Sequence, residues 1–371
     1  MTTLRVTLDE LAAAPYGGMA RYAGELARAL VATAPTGAEV VGVVPASPEA
    51  DYERVLAKVP GLASLEKSAL ARRELAAAWR RGIARTSGTG MMHATSLLAP
   101  LGAHDRVHRS SDQVAVTMHD AIAWTAPELL PARAVSWQRA MAKRAERYAD
   151  AIVVPSHAVA EELDAHLAFG DRIRVIPGAP SSSLLPPSEL DGRAAELGLP
   201  ERYLLTVAGT EPKKNLAELF DAVRLTRADV PLVVVGPDPE AARELADAAR
   251  LSEDRFLVLG PLADEDLGLV YLRAQVYVQP SLAEGFGLAV AEALAFGLPV
   301  VHTEVPALDE LTAGAAISVP LGDGLPARLA EAIDAVDGEL AERLATAAGD
   351  RASAFSWRDS AEKVWQLHAD L

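Results

Sequence analysis

The chain has 371 residues, no cysteine, and half of its residues hydrophobic but only 5% aromatic. That length favours two domains over one, and the missing thiols exclude disulfides, thiolate nucleophiles and thiolate metal ligands. A formal net charge of −16 argues against a nucleic-acid binder, because phosphate affinity needs clustered cations.

The charge is uneven. Residues 1–185 carry 20 Lys and Arg against 19 Asp and Glu, whereas residues 186–371 carry 15 against 32. The near-neutral first part is therefore the better face for an anionic partner. No apolar run reaches the roughly 18 residues of a membrane span. No charged segment with an apolar core opens the chain as a secretory signal would. The expectation is a cytoplasmic protein.

In chain order, a first strand leads into Gly17 and Gly18 and then a helix over Ala20–Ala32. Val40–Val44 reads as a strand. Leu65–Arg85 (LEKSALARRELAAAWRRGIAR) reads as a basic amphipathic helix with six basic residues against two acidic. On a helical wheel Leu75, Trp79 and Ile83 fall together, Lys67, Arg73, Arg80, Arg81 and Arg85 lie opposite, and Arg72 interrupts the apolar stripe. His93 ends a further strand. Val114–Met118 and Ile152–Val154 are strands and Ala158–Leu167 a helix. Pro177–Pro187 (PGAPSSSLLPP) reads as a linker. Beyond it come strands at Leu204–Val207, Leu232–Val235 and Val276–Val278, and helices at Leu216–Arg227, Glu240–Arg250 and Leu288–Ala295. Phe355–Leu371 is a last helix with Ser356 as its N-cap. Short β-branched strands alternating with amphipathic helices predict an α/β protein with parallel sheets covered on both faces. Two Rossmann-like, doubly wound domains would bind ligand at the C-terminal ends of their strands.

Two stretches stand out chemically. In Pro280–Val301 (PSLAEGFGLAVAEALAFGLPVV), Glu284 and Glu292 lie eight positions apart around Gly285-Phe286-Gly287. A continuous helix would rotate them about 80° apart. A loop followed by a helix starting near Leu288 can turn both to one ligand, with the Gly285–Gly287 amides at an anion-favouring helix N-terminus. Glu292 in an otherwise apolar helix is costly unless paired or bound. In Glu211-Pro212-Lys213-Lys214-Asn215, two lysines precede a helix start. Asn215 can cap that helix, and Glu218 completes a capping box. Cations beside a helix N-terminus make a diphosphate site. His119 follows a strand at its C-terminal end, Asp120 suits a cap or an orienting role, and His157 reads as local structure. An acceptor-side role is open for His93. No set of residues has metal-ligand spacing.

The Glu284-Gly285-Phe286-Gly287 and Glu292 stretch resembles the E-x7-E motif of family 4 retaining glycosyltransferases, which have the GT-B fold. Pro15–Leu30 (PYGGMARYAGELARAL), Thr117–Pro131 (TMHDAIAWTAPELLP), Ile152–Leu163, Ile173–Gly178 and Leu204–Leu219 (LLTVAGTEPKKNLAEL) are similar to the family's other segments, in its order. Gly297-Leu298-Pro299-Val300 matches as well. The likeness spans nearly the whole chain.

This resemblance implies residues 1–185 as an acceptor-side domain, 186–355 as a nucleotide-sugar domain, and 356–371 as a helix crossing back to the first. It implies hexosyl transfer from a nucleotide-diphosphate sugar to a glycan or lipid-linked acceptor, in cell-surface glycan or glycolipid synthesis. No metal or other cofactor is expected, since lysines and helix dipoles stabilise the leaving diphosphate. Gly17, Gly18, Lys213 and Lys214 are implied at the diphosphate. His119 and Glu284 are implied at the donor sugar, with Gly285, Phe286, Gly287 and Leu288 beside it, and Glu292 at the ribose. Where many members have an arginine, this chain has Thr210, which shifts the load to the lysines. The variants look most like bacterial mannosyl- or rhamnosyltransferases. A sugar-nucleotide epimerase and a non-catalytic nucleotide-sugar-binding subunit are the alternatives. The basic stretch 65–85 is either scaffold or a contact with anionic membrane at the inner face.

Overall fold

A computed structural model describes residues 2–13, 17–83, 90–105, 108, 112–227 and 229–371. Pro15, Tyr16 and Arg85, which the sequence reading used, lie outside the described residues. The chain divides into two compact units, residues 1–178 with 356–371 and residues 179–355. Each is described by itself.

Among the described residues the first unit has seven parallel strands: β1 (Thr2–Thr7), β2 (Ala38–Ala46), β3 (Ser64–Ala71), β4 (Met91–Ala94), β5 (Gln113–Thr117), β6 (Ala151–Val154) and β7 (Ile173–Val175), ordered β3-β2-β1-β4-β5-β6-β7. The direction of winding reverses between β1 and β4. The ends of these two strands therefore frame the crevice where such sheets bind ligands. Glycine-capped Gly18–Ala32 follows β1. The last helix, Trp357–Asp370, packs on this unit: Ser356 caps it, accepting from Asp359 N at 3.4 Å, Ser360 Oγ donates to Pro177 O at 2.8 Å, and Trp365 Nε1 donates to Leu30 O at 3.2 Å.

The reading of 65–85 as one helix is corrected. Residues 65–71 belong to β3, an edge strand paired with β2 through Gly42↔Leu65, Val43↔Glu66 and Val44↔Lys67. Pairing satisfies a row of backbone groups that a helix there would have left open along β2. Lys67 joins Glu49 at 3.2 Å and lies 4.0 Å from the Tyr52 ring centroid. The helix is only Arg72–Arg81, closed by left-handed Gly82. Its Leu75 and Trp79 are buried in the unit's core, while Ile83, past the cap, is 74% exposed. Arg72 leaves the helix face to bind Asp9 at 2.9 Å and Glu10.

His93 is also corrected: at 0% exposure it cannot touch an acceptor. Its ring packs edge-on against His368 of the last helix at 5.7 Å, and its nitrogens find no hydrogen-bond partner among the described residues. His368 Nδ1 lies 3.0 Å from Gln113 Oε1. Burial, and the neighbouring His368, push His93 down to about 3. Burial pushes His368 down to about 4 against the opposing pull of Asp150. Both folded values lie below the unfolded one, so stability is lost as pH falls from about 6.5 towards 4. Each histidine should contribute a slope of about 1.4 kcal/mol per pH unit in that window. Thermal unfolding between pH 7 and pH 5 should therefore decline less steeply in His93→Leu than in the parent. Equal slopes would show that this ring does not titrate on unfolding.

The second unit has six parallel strands among the described residues: β8 (Leu204–Val207), β9 (Leu232–Val235), β10 (Phe256–Gly260), β11 (Val276–Gln279), β12 (Val300–Thr303) and β13 (Ile317–Val319), ordered β10-β9-β8-β11-β12-β13. Side chains alternate between two cores. Leu205, Val233, Val235 and Tyr277 face one, with helices Asp264–Arg273, Leu288–Ala295 and Gly338–Ala352. Leu204, Leu232, Val234, Val276 and Val278 face the other, with helices Leu216–Leu225, Pro239–Ala248 and Leu325–Ala335. Burial on both faces explains the unbroken apolar runs. Here the winding reverses between β8 and β11, which pair through Val276↔Leu204. Among the described residues no helix is long and apolar enough to cross a membrane.

Candidate active site

The two charged stretches follow the two strands at that reversal. After β8, Pro212–Lys214 makes a turn of 3-10 helix in which Lys214 N donates to Glu211 O at 2.8 Å. After β11, Ser281–Gly287 forms the loop leading into Leu288–Ala295. One backbone bond, Leu282 N to Lys213 O at 2.8 Å, ties the loops together. The fold thus brings Lys213, Lys214 and Glu284 to one place, although 70 residues separate the last two.

Lys214 Nζ lies 2.5 Å from Glu284 Oε1. Ser281 Oγ donates to the same oxygen at 2.8 Å and Gln279 Nε2 at 3.2 Å. Gln279 is itself held: its amide donates to Ser281 Oγ at 2.6 Å and its Oε1 accepts from the Tyr277 hydroxyl at 2.6 Å. Thr303 Oγ1 donates to the Ser281 carbonyl. Burial pushes the Glu284 carboxyl up. The Lys214 and Lys213 charges and the bonds from Lys214 and Ser281 outweigh it and hold the group below the usual 4.5. Tyr277 is fully buried, and burial with the nearby Glu284 and Glu292 charges drives its phenol well above 10, so it remains a donor. Sequence reasoning missed Gln279 and Ser281. Their signal was a polar Gln-x-Ser at the end of an apolar strand, where β-period alternation leaves no exposed face to account for them.

Glu292 is the fifth residue of the helix after Gly287 and is 2% exposed. The Tyr271 hydroxyl lies 3.0 Å from its Oε2 and 3.2 Å from the Ala289 carbonyl, and the Tyr271 ring stacks on Phe296 at 5.4 Å. Gly287 has φ 93°, and a Cβ there would meet the Leu308 side chain at 2.5 Å, so both backbone and space favour glycine at this entry to the helix. The Phe286 ring is buried against Phe355 at 5.6 Å, and Leu288 packs on the same core. The expected Asn215 cap is corrected. Asn215 is left-handed, φ 53° and ψ 38°, and makes no side-chain cap bond. The left-handed residue joins the 3-10 turn to the helix, and asparagine tolerates that conformation.

Gly17, Gly18 and His119 belong to the first unit. Neither glycine has a positive φ, and a Cβ on either would meet nothing within 4 Å. Packing of the chain therefore does not demand glycine at either position. His119 follows β5, and its Nε2 lies 2.7 Å from the Thr95 carbonyl at the end of β4. A carbonyl only accepts, so Nε2 carries the proton and Nδ1 is the acceptor in the neutral ring. Tyr22, one turn into Gly18–Ala32, packs edge-on against His119 at 4.8 Å, and Trp357 packs on Tyr22 at 5.4 Å. Thr95 is fixed by Thr7: its N donates to Thr7 Oγ1 at 2.9 Å and its Oγ1 to Thr7 O at 2.7 Å. Asp120 accepts from Ile122 N at 3.1 Å, a capping contact. His157 starts the helix that Ser156 caps.

Two family models match in tandem. One described as Glycosyltransferase Family 4 covers residues 16–179, and one described as Glycosyl transferases group 1 covers residues 201–336. The chain belongs to the family 4, group 1 glycosyltransferases. It is 29% identical over 260 residues to O-antigen chain mannosyltransferase B of Escherichia coli, covering 67% of this chain and 68% of that protein. It is 29% identical over 276 residues to D-inositol 3-phosphate glycosyltransferase of Mycolicibacterium smegmatis, covering 70% of this chain and 60% of that protein. Among solved structures, Anabaena HepE in complex with UDP and glucose superposes with a TM-score of 0.76 at 17% identity, covering 100% of both chains. Sucrose-phosphate synthase of Thermosynechococcus elongatus gives 0.74 at 22% identity, covering 100% of this chain and 99% of that one. The fold of this glycosyltransferase is accordingly GT-B, two parallel-sheet α/β units.

Proposed function

We propose that this glycosyltransferase moves a hexosyl group from a nucleotide-diphosphate sugar to an acceptor hydroxyl with retention of configuration, in assembly of a bacterial surface glycan or glycolipid. The Lys214–Glu284 pair beside the β8/β11 reversal carries this reading. A cation for diphosphate and a carboxylate for sugar hydroxyls stand there within one hydrogen bond. We assign Lys214, with Lys213, to the diphosphate and Glu284 to the sugar, with the Gly285–Gly287 backbone and Leu288 beside them. Glu292, oriented by Tyr271, is assigned to the ribose. In the first unit Gly17 and Gly18 are assigned to the diphosphate. The folded chain gives them no steric reason to be glycine, whereas close backbone approach to phosphate would. His119 is assigned to a sugar hydroxyl, its ring held by the bond to the Thr95 carbonyl and the edge of Tyr22.

In such a transfer the bond from the anomeric carbon to the diphosphate oxygen breaks and the acceptor oxygen bonds on the same face. The acceptor proton passes to the departing phosphate oxygen. The protein supplies position and charge stabilisation, and needs neither a nucleophile nor a cofactor of its own. Incubation with a panel of nucleotide sugars, following nucleotide diphosphate release with and without acceptor, tests this. Acceptor-stimulated release with a glycosylated product is expected. Epimerised nucleotide sugar, or binding without release, would overturn it. The mannosyltransferase relative makes nucleotide-linked mannose the first donor to try.

We place the enzyme in the cytoplasm, with a peripheral contact to anionic lipid at the inner face of the membrane. The supporting surface is shorter than the sequence suggested: Arg73, Arg80 and Arg81 are exposed on Arg72–Arg81, next to the exposed Ile83. Co-sedimentation should need anionic vesicles, weaken with salt, and fall several-fold when Arg80 and Arg81 become Glu. A protein that ignores anionic vesicles at low salt has a soluble acceptor, and the helix is scaffold.

A further inference from the structure

Lys214 and Glu284 are each other's partners in this structure, yet the proposed reaction asks both to serve the donor. The ammonium sits on a carboxylate whose side chain is only 10% exposed. A carboxylate so far removed from water needs donors at its oxygens. Besides Lys214 it has two neutral ones, Ser281 Oγ and Gln279 Nε2. An arriving diphosphate draws the same ammonium towards itself and places further negative charge beside Glu284.

We propose that Glu284 and the donor diphosphate compete for the Lys214 ammonium, so that the site favours a nucleotide that carries its sugar over the nucleotide diphosphate left after transfer. This rests on the glycosyl-transfer reading above and adds a selection step to it. With the intact donor, sugar hydroxyls donate to Glu284 and replace what the ammonium gave, so Lys214 is released to the diphosphate. After transfer the sugar leaves with the acceptor, and Glu284 is left with Ser281 and Gln279. It then recaptures Lys214, and the hold on the diphosphate weakens. Product release is coupled in this way to departure of the sugar.

Tyr277, Gln279 and Ser281 act as positioning residues in this exchange. The Tyr277 hydroxyl orients the Gln279 amide, which donates to both Ser281 and Glu284. They hold the carboxylate still while its cation moves. The backbone bond from Leu282 to Lys213 keeps the lysine-bearing turn from following. Competition therefore needs only a rotamer change at Lys214.

Calorimetric titration of the full chain with UDP, GDP, ADP and dTDP, and with their glucose or mannose conjugates, decides the matter. In Glu284→Gln the tightest-binding nucleotide diphosphate should gain at least about tenfold in affinity, because a charge-assisted competitor is gone. Its sugar conjugate should gain less or lose, so the preference for the conjugate collapses. The gain should vanish in the Lys214→Ala/Glu284→Gln double variant, a coupling that general loosening of the loop would not produce. If Glu284→Gln does not fold, Glu284→Asp, one methylene shorter, should give a smaller gain in the same direction. Unchanged or weaker nucleotide diphosphate binding in the folded variant overturns the competition while leaving the transfer reading intact. If the unaltered enzyme binds none of these nucleotides or conjugates, both readings fall.

Discussion

Glu284→Gln should lower turnover on the order of 10²–10³ while the protein still binds nucleotide diphosphate. The substitution is nearly isosteric. Ser281 Oγ and Gln279 Nε2 can still donate to the remaining amide oxygen, so the loop after β11 keeps its shape. What is lost is a negative charge held below its ordinary pKa by Lys214 and Lys213, in surroundings that exclude most water. An ionised acceptor strengthens its bonds to sugar hydroxyls as positive charge develops at the anomeric carbon. A neutral amide does so far less. The effect should therefore fall on kcat more than on KM. Steady-state rates beside calorimetric binding check it. Parent-like turnover removes Glu284 from the sugar site, and a parallel loss of rate and of nucleotide binding points to misfolding.

That assignment began with a pattern in the amino-acid sequence, and the way it did so shows where such reading stops. The buried strands were legible because β-branched runs such as Leu232–Val235 and Val276–Val278 lie inside on both faces, and packing leaves them no other use. Leu288–Ala295 was legible to the residue, because Gly287 must take a left-handed turn before it and Gly297 after it. Residues 65–71 were misread for the opposite reason. Leu65, Glu66 and Lys67 carry a pattern that suits a helix or an edge strand equally, and the partner that decides, β2, is more than twenty residues away in the chain. His93 looked like a cleft residue from its place at a strand end. Its burial depends on the last helix returning to this unit with His368 at the contact, a link across 275 positions. Asn215 shows the finer limit. Its type suits both a cap and a left-handed turn, and the 3-10 turn over Pro212–Lys214 settles which. The charges of the site could be found by residue type and spacing. Their pairing, Lys214 with a Glu284 that Ser281 and Gln279 also hold, could not, since it depends on two loops meeting at the ends of adjacent strands.

Lys214→Ala should weaken nucleotide diphosphate binding about 10- to 150-fold and leave binding of the bare nucleoside nearly unchanged. Charge-assisted hydrogen bonds contribute about 1.5–3 kcal/mol, which converts to that range. Two effects add. The diphosphate loses the cation assigned to it, and it meets a Glu284 whose charge Lys214 no longer offsets. Lys213 remains close enough to act on Glu284, which keeps the loss from being complete. The variant should also be less stable, because a carboxylate that burial disfavours loses its strongest partner. The pH dependence of that loss separates it from a packing defect. Glu284 has a folded pKa below its unfolded one, so the pair contributes stability above about 4.5 that disappears as pH falls through the folded value. The difference in unfolding temperature between parent and variant should therefore be widest near pH 7 and shrink below pH 4.5. Titrations with nucleoside, nucleotide diphosphate and nucleotide sugar, run beside thermal scans at several pH values, measure both. Equal weakening toward nucleoside and nucleotide diphosphate would take Lys214 away from the phosphate. A stability gap that stays constant with pH would mean that the ion pair adds nothing to folding, whatever its part in binding.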